Sequence, residues 1–276
     1  MHRLPVCFLT LVIVVSAVSR LANGAESGVT AMLHSWGRFD PGCWKLVRVI
    51  SETLDEQGQV VSTCTTDTKT TLVDIDNEGV TLEVSARMEV AGKRFQADPQ
   101  TIKQGFHGEV ADPHLSIKPP VDGEVVIGAR SIPCKVQQLE AEGPKGKTVI
   151  NVYYSSSVAP YVLKRECITT GSDAATPPSE LTMEVIALDM PVRLNDQIRT
   201  GVHVRTVQRN GKGTVTTLAI VIPDVPGGVV RHSSKEVDKN GRVIRRSTLE
   251  VLDYCNDVAN LYGRKRANRR TKSPPH

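Results

Sequence analysis

Residues 80–90 read VTLEVSARMEV, and this run constrains the chain more than any other. Val80, Leu82, Val84, Ala86, Met88 and Val90 alternate strictly with Thr81, Glu83, Ser85, Arg87 and Glu89. Period two sustained this long marks a strand with one buried and one wet face. At about 3.4 Å per residue the strand would extend roughly 36 Å. Just upstream, residues 60–73 carry Thr63, Thr65, Thr66, Thr68, Thr70 and Thr71. Threonine suits a partly exposed strand, because its branched Cβ favours extended backbone while its hydroxyl stays solvated. Asp55-Glu56-Gln57-Gly58, Asp76-Asn77-Glu78-Gly79, Asn210-Gly211 and Asn240-Gly241 supply turns between such strands. Asn and Gly accept the positive φ that tight hairpins need. The spacing predicts antiparallel sheet rather than βαβ units.

The chain also resembles itself. Lys145-Gly146-Lys147-Thr148 and Lys212-Gly213-Thr214-Val215 open strands at an offset of 67, and Val158–Lys164 matches Val225–Arg231 at the same offset. Cys134–Gln137 lies opposite Val202–Arg205, and Met183–Ile186 opposite Leu249–Leu252. A fixed period marks repeated supersecondary units. The body, 25–263, is therefore expected to hold N-terminal strands within 43–90 and an irregular connection over 91–131. Repeat unit one follows at 132–190 and repeat unit two at 201–254. A short helix is expected at 99–104 and a hairpin tip at 170–179. Two copies are too few for a solenoid, and a lone copy exposes its edges. The expected fold is mainly β: a large antiparallel sheet curled into a half-barrel or open barrel, with few short helices. Sheets of ten or more strands tend to curl in this way.

Residues 1–24 form a different kind of segment. His2 and Arg3 precede an apolar run from Leu4 to Val18, and Ala22-Asn23-Gly24 fits a small-x-small cleavage site. This is the layout of a secretory signal peptide, with cleavage between Gly24 and Ala25. The alternative is an uncleaved anchor, but the apolar run is shorter than the roughly 20 residues a membrane-spanning helix needs. No other stretch approaches that length, so the mature chain is expected to carry no transmembrane segment. The destination is outside the cytoplasm: periplasm, cell envelope or medium.

Charge sharpens the picture. Of 34 Lys and Arg, two lie in residues 1–24 and six in 264–276, leaving 26 in the body against all 30 acidic residues. The body is mildly acidic and ends in a basic tail, RKRANRRTKSPPH. No basic stripe interleaved with aromatics is present, so nucleic acid is not an expected partner. The tail reads as disordered, either as a solubilising terminus or as a contact to an anionic envelope surface. Beyond Cys7 in the leader, the cysteines are Cys43, Cys64, Cys134, Cys167 and Cys255. An odd, widely spaced set favours mostly buried free thiols over a disulfide framework.

The run Val152-Tyr153-Tyr154-Ser155-Ser156-Ser157-Val158-Ala159-Pro160-Tyr161-Val162-Leu163-Lys164-Arg165-Glu166 resembles a pattern in exported bacterial proteins of the LolA/LolB/RseB-like class. There an aromatic strand ends in a Ser/Asp/Pro loop, and the next strand opens with an apolar pair and a basic residue. The whole chain is also similar to uncharacterised secreted proteins of planctomycete-type bacteria. The resemblance implies an open β-barrel with an apolar concave face, which in lipoprotein carriers holds acyl chains.

Catalytic and metal chemistry is not legible. Ala141–Thr148 matches a relaxed phosphate-loop pattern, but the following VINVYY continues as a strand, whereas that motif needs a helix. His34, His107, His114, His203, His232 and His276 show no metal-ligand spacing. His203 and His232 fall in predicted strands and are candidates for spatial neighbours. No catalytic, cofactor-binding or metal residue is assigned, and no cofactor is expected. The candidate ligand or partner contacts are Trp36, Trp44, Tyr153, Tyr154 and Tyr161. They form either an aromatic lip over a ligand site or a segment pinned to the barrel mouth. The leading expectation is an exported, non-catalytic binding or carrier protein for a lipid, another apolar ligand or an envelope component. The alternatives are a structural or protein-interaction module of the envelope and an extracytoplasmic hydrolase.

Overall fold

A computed structural model describes residues 29–108, 115–143, 146–171 and 177–257. The proposed leader, its cleavage point at Gly24 and Ala25, and the basic tail 264–276 lie outside the described residues. A single 3-10 turn, Ala31–Leu33, precedes the strands. These are β1 (Trp44–Leu54), β2 (Val60–Ile75), β3 (Gly79–Val90), β4 (Lys93–Gln96), β5 (Gln100–Gly105), β6 (Ser116–Ile117), β7 (Val121–Ile127) and β8 (Arg130–Gly143). They continue with β9 (Gly146–Tyr154), β10 (Val162–Thr170), β11 (Ser179–Leu194), β12 (Gln197–Asn210), β13 (Gly213–Val221), β14 (Val229–Asp238) and β15 (Val243–Cys255).

All these strands join one antiparallel sheet in the order β4-β3-β2-β1-β15-β14-β13-β12-β11-β10-β9-β8-β6, with β5 also on β3 and β7 also on β8. The sheet curls without closing. Residues on β2–β3 and residues on β8–β9 both pack around Phe106, which lies just after β5. The face they share is the inner face, and it is the face that Val80, Leu82, Val84, Ala86, Met88 and Val90 were expected to bury. The expected mainly β, open, curled architecture is the one observed.

Both free edges are interrupted. On β3, strands β4 and β5 are split around Pro99. On β8, strands β6 and β7 are split around Pro119 and Pro120. Proline lacks the N–H a continuing ladder requires, and short, broken edges resist pairing with another chain. The expected helix at 99–104 is strand β5, because Thr101 and Ile102 pair with Glu83 and Leu82 of β3. The glycines and prolines of 91–131 break strands into short pieces rather than abolishing them.

Charged side chains occupy the outer face. Arg87, Asp67, Arg48, Glu250 and Arg231 stand opposite one another across β3, β2, β1, β15 and β14, alternating in sign. Arg48 donates to both carboxylate oxygens of Asp67, at 2.7 and 2.8 Å. Cross-strand pairs of opposite charge stabilise a sheet modestly, and solvent screens them.

Two apolar clusters fill matching places. Val125 and Ile127 of β7, with Ile132 and Cys134 of β8, pack on Leu163, Val185, Val202 and Val204. Val192 of β11 packs, with Leu194 beside it, on Ile222, Val225, Val230, Val251 and Val47. In each case a hairpin end folds over the neighbouring strands. A shift of 67 carries β8 onto β12 (130 to 197, 143 to 210) and β9 onto β13 (146 to 213, 154 to 221). The same shift carries Val125 to Val192, Ile127 to Leu194 and Leu163 to Val230. The loops agree as well. Ser155 N–H donates to Tyr161 C=O at 2.8 Å, and Ile222 N–H to Gly228 C=O at 2.9 Å. Tyr161 N–H donates to Val158 C=O at 2.9 Å, and Gly228 N–H to Val225 C=O at 2.8 Å.

Leu163 is fully buried in the first of these clusters, whereas Leu218 is half exposed on the outer face. Leu163→Ala is expected to cost about 2–5 kcal/mol in urea unfolding through the cavity it leaves. Leu218→Ala should change stability by less than about 0.5 kcal/mol.

Candidate functional site

The inner face near Phe106 is covered by the chain's own segment 29–43 rather than by strand. Short-range turns shape this segment. Leu33 N–H donates to Thr30 C=O, His34 N–H to Ala31 C=O, Phe39 N–H to Trp36 C=O and Cys43 N–H to Asp40 C=O, at 3.0–3.1 Å. Gly37 lies so close to the 3-10 turn that a Cβ there would stand 2.6 Å from the Ala31 carbonyl oxygen. The coiling presents Trp36 and Phe39 to Leu72, Val80 and Leu82. It presents Val29 and Leu33 to Leu139, Ile150, Val152 and Tyr154. The segment thus spans the gap between the two ends of the open sheet. Its last residues join the sheet through Gly42 N–H to Leu72 C=O (2.7 Å) and Leu72 N–H to Cys43 C=O (2.8 Å).

Loop 222–228 receives its middle. Gly227 N–H donates to Ser35 C=O at 3.0 Å. Gly227 has φ +70°, and a Cβ there would lie 2.7 Å from Trp36 Nε1. The matching loop 155–161 also meets the segment, because the Arg38 guanidinium lies 5.2 Å from the Tyr161 ring centroid and 5.6 Å from that of Phe39. Arg38 Nε is buried without a hydrogen-bond partner. Burial lowers the Arg38 pKa, and the neighbouring Tyr161 acts in the opposite direction.

Beneath Trp36 lies Lys45. Its ammonium donates to Val229 C=O at 3.1 Å and sits 5.7 Å from the Trp36 ring centroid. Lys45 is buried at the start of β1, opposite Thr70 and Tyr254. Burial alone drives its pKa down to about 8. The next turn of chain after Phe106 docks on the far side. His107 Nε2 and Gln137 Oε1 are 2.7 Å apart, Gln137 Nε2 donates to Lys118 C=O at 3.3 Å, and Arg165 donates to Gly108 C=O at 3.2 Å.

Farther along the same face the lining changes. Cys64, Ser51, Ser247, Ser234, Thr217 and Thr206 stand in register across β2, β1, β15, β14, β13 and β12. Thr217 Oγ1 donates to Ser234 Oγ at 2.9 Å. His232 belongs to the adjoining row, and burial lowers its pKa. The inner face is therefore apolar where the chain covers it and hydroxylated beyond.

Three of the five aromatic contact candidates gather at this segment: Trp36, Tyr154 and Tyr161. The other two point elsewhere. Trp44 begins β1 with its ring 4.8 Å from the Lys69 ammonium. Tyr153 packs beside the Leu163 cluster and donates its hydroxyl to Glu166 at 3.0 Å. Adjacent tyrosines on one strand face opposite sides, so Tyr153 and Tyr154 were bound to separate. His203 and His232 do not meet either. His203 stands opposite Ile220 and His232 opposite Ala219, which places the two rings on opposite faces. Where it is described, the relaxed phosphate-loop stretch is the end of β8 and the start of β9, with Glu142 opposite Lys147, and no helix follows it. The cysteines of the described residues are free thiols, with Cys43, Cys64, Cys134 and Cys255 buried. Lys45 escaped the sequence reading, although its signal was present. It stands in phase with Val47 and Val49, where an alternating strand calls for an apolar residue.

Among the described residues no group of three or more His, Cys, Asp or Glu could hold a metal ion, and no helix is long and apolar enough to cross a membrane. The fold and the covered face define an open, curled antiparallel half-barrel with a self-inserted segment. No protein-family model matches the chain, and no curated protein does. Among solved structures it is similar to a candidate lipoprotein from Parabacteroides distasonis, at 10% identity and TM-score 0.28 over 76% of this chain and 95% of that one. It is also similar to a candidate exported protein with a YmcC-like fold from Bacteroides fragilis, at 10% identity and TM-score 0.26 over 78% and 97%.

The pH dependence of Lys45 follows from its burial. Unfolded, the amine titrates near 10.5; folded, near 8. Below pH 8 it is charged in both states, and the native state carries the full desolvation penalty of roughly 3 kcal/mol. Between pH 8 and 10.5 the unfolded state binds more protons, so stability rises with pH. Lys45→Met is expected to be more stable than the parent in urea at pH 7. Its advantage should shrink by roughly 3 kcal/mol by pH 10.5.

Proposed function

We propose that this chain is an exported, non-catalytic binding or carrier protein that shelters an apolar ligand or envelope component in the curl of its sheet. The observation that carries the reading is the way segment 29–43 covers the inner face. Val29, Leu33, Trp36 and Phe39 sit on apolar strand residues from both ends of an open sheet. Elsewhere the same face is covered by hairpins continuous with the sheet ladder. A cover made of a non-strand segment, tied at its middle by the Gly227–Ser35 hydrogen bond, is the part an apolar ligand would replace at least cost. Trp36, Tyr154 and Tyr161 would then line its entry, while Trp44 and Tyr153 would serve the outer and Leu163 sides.

The leader-like residues 1–24 support export, with cleavage between Gly24 and Ala25. The matched loops and clusters at a 67-residue shift support descent of units 132–190 and 201–254 from one duplicated element. The LolA/LolB/RseB-like reading agrees with an open half-barrel whose inner face is apolar. The basic tail 264–276 would hold such a carrier near anionic envelope surfaces, each basic residue contributing roughly 1 kcal/mol at low salt.

Native mass spectrometry of the exported protein tests the reading. The expected result is a chain beginning at Ala25 that retains an apolar adduct or accepts a fluorescent acyl probe. Trp36→Ala should bind the probe about tenfold more tightly, because the competing indole is gone. A chain that carries no adduct and takes no probe, with or without Trp36, would remove the carrier function.

A further inference from the structure

We infer that Lys45 is the recognition point for an acidic headgroup, so that the ligand is an anionic amphiphile bearing a carboxylate or phosphate monoester. This deepens the carrier reading above and rests on it. An ammonium has three hydrogen-bond donors, and at Lys45 one of them meets the Val229 carbonyl. The remaining contact is the face of Trp36, a residue of the covering segment itself. Among the described residues no acidic side chain offsets the burial of this amine. A buried cation without a counter-ion is costly, and proteins normally pair it.

The surroundings suit a single-chain amphiphile. Lys45 stands between Tyr254 of β15 and Thr70 of β2, with the apolar cluster of Val47, Val251 and Val230 on the β15 side and that of Leu72, Val80 and Leu82 on the β2 side. A tail lying where Trp36 and Phe39 now pack would leave an acidic head at the Lys45 ammonium. The exchange replaces a cation–π contact with an ion pair in a place where water is excluded. Arg38 adds a second cation at the same segment, with its Nε buried and unpartnered. Burial pulls the Lys45 amine down to about 8, so it is still mostly charged at neutral pH. A buried lysine serving only to hold the fold would be expected to face a carboxylate, and among the described residues Lys45 faces none.

The test uses the delipidated, full-length exported protein and three twelve-carbon probes: laurate, dodecyl phosphate and dodecanol. Binding is followed by tryptophan emission and titration calorimetry at pH 7. We expect at least one anion to bind tenfold or more tighter than dodecanol, and the tighter of the two identifies the headgroup. Lys45→Met should bind all three alike, and Lys45→Arg should restore much of the preference. Circular dichroism of Lys45→Met should match the parent, since that variant removes a buried charge. Equal binding of all three probes by the parent would overturn the headgroup assignment and leave the carrier intact. So would a preference that survives Lys45→Met. Binding of none would overturn both.

Discussion

An open sheet with one apolar face has a problem that its own hydrogen bonds do not solve. The ladder pairs backbone groups along its length, but it leaves the greasy face and two raw edges unattended. Every other feature of this chain answers that constraint. Proline-interrupted strands blunt both edges. Hairpin ends fold back over two stretches of the inner face, and segment 29–43 covers a third. The outer face, alternating in charge across five strands, requires no cover.

The three covers are not equivalent. Each hairpin cover is an extension of strands already in the ladder, so removing it would break inter-strand hydrogen bonds along with apolar contacts. Segment 29–43 is held by its own local turns, by side-chain burial, by the hydrogen bond between Gly227 and Ser35 and, at its end only, by the two that tie Gly42 and Cys43 to Leu72. Local opening of a structure follows the regions with the fewest anchoring hydrogen bonds. Ahead of those Leu72 hydrogen bonds, the cover over Val80 and Leu82 could lift without dismantling the sheet. It also carries Arg38, whose Nε is buried, and lies on the buried Lys45. Desolvated charges make its docked state less favourable than its apolar contacts alone would make it.

The fold was legible because period two is a direct imprint of the strand on sequence. Val80 to Val90 announced β3 and its buried face, and Asn210-Gly211 marked the turn that joins β12 to β13. At the 67-residue offset, Leu163 and Val230 are each buried in an apolar cluster beside a hairpin end. Short edge strands were not legible, since Gly and Pro in 91–131 carry the same local signal whether they end a strand or interrupt one. The candidate site was half legible. Aromatic content drew attention to Trp36, Tyr154 and Tyr161, yet it drew equal attention to Trp44 and Tyr153, which face elsewhere. Alternation separates Tyr153 from Tyr154, but it says nothing of Trp36 and Tyr161, which lie outside the strands. His203 and His232 failed to meet for a related reason. Two residues in paired positions share a face, whereas a one-residue slip separates them by the whole thickness of the sheet.

Lys45 shows where an informative violation of pattern lies. A strand that places Lys45, Val47 and Val49 on one side puts an ammonium in line with two valines. Lysine in an alternating strand normally escapes by snorkelling, keeping its head in water while the stem packs. Here the indole of Trp36 lies over the ammonium, and among the described residues the head has one carbonyl as hydrogen-bond partner. If the covering segment withdrew, water would reach the amine and the penalty of burial would fall. If an acid then entered, the penalty would become an attraction. The same side chain that makes the covered state costly would make an acid-occupied state favourable. A neutral residue at position 45 would pack better under Trp36 and would do neither.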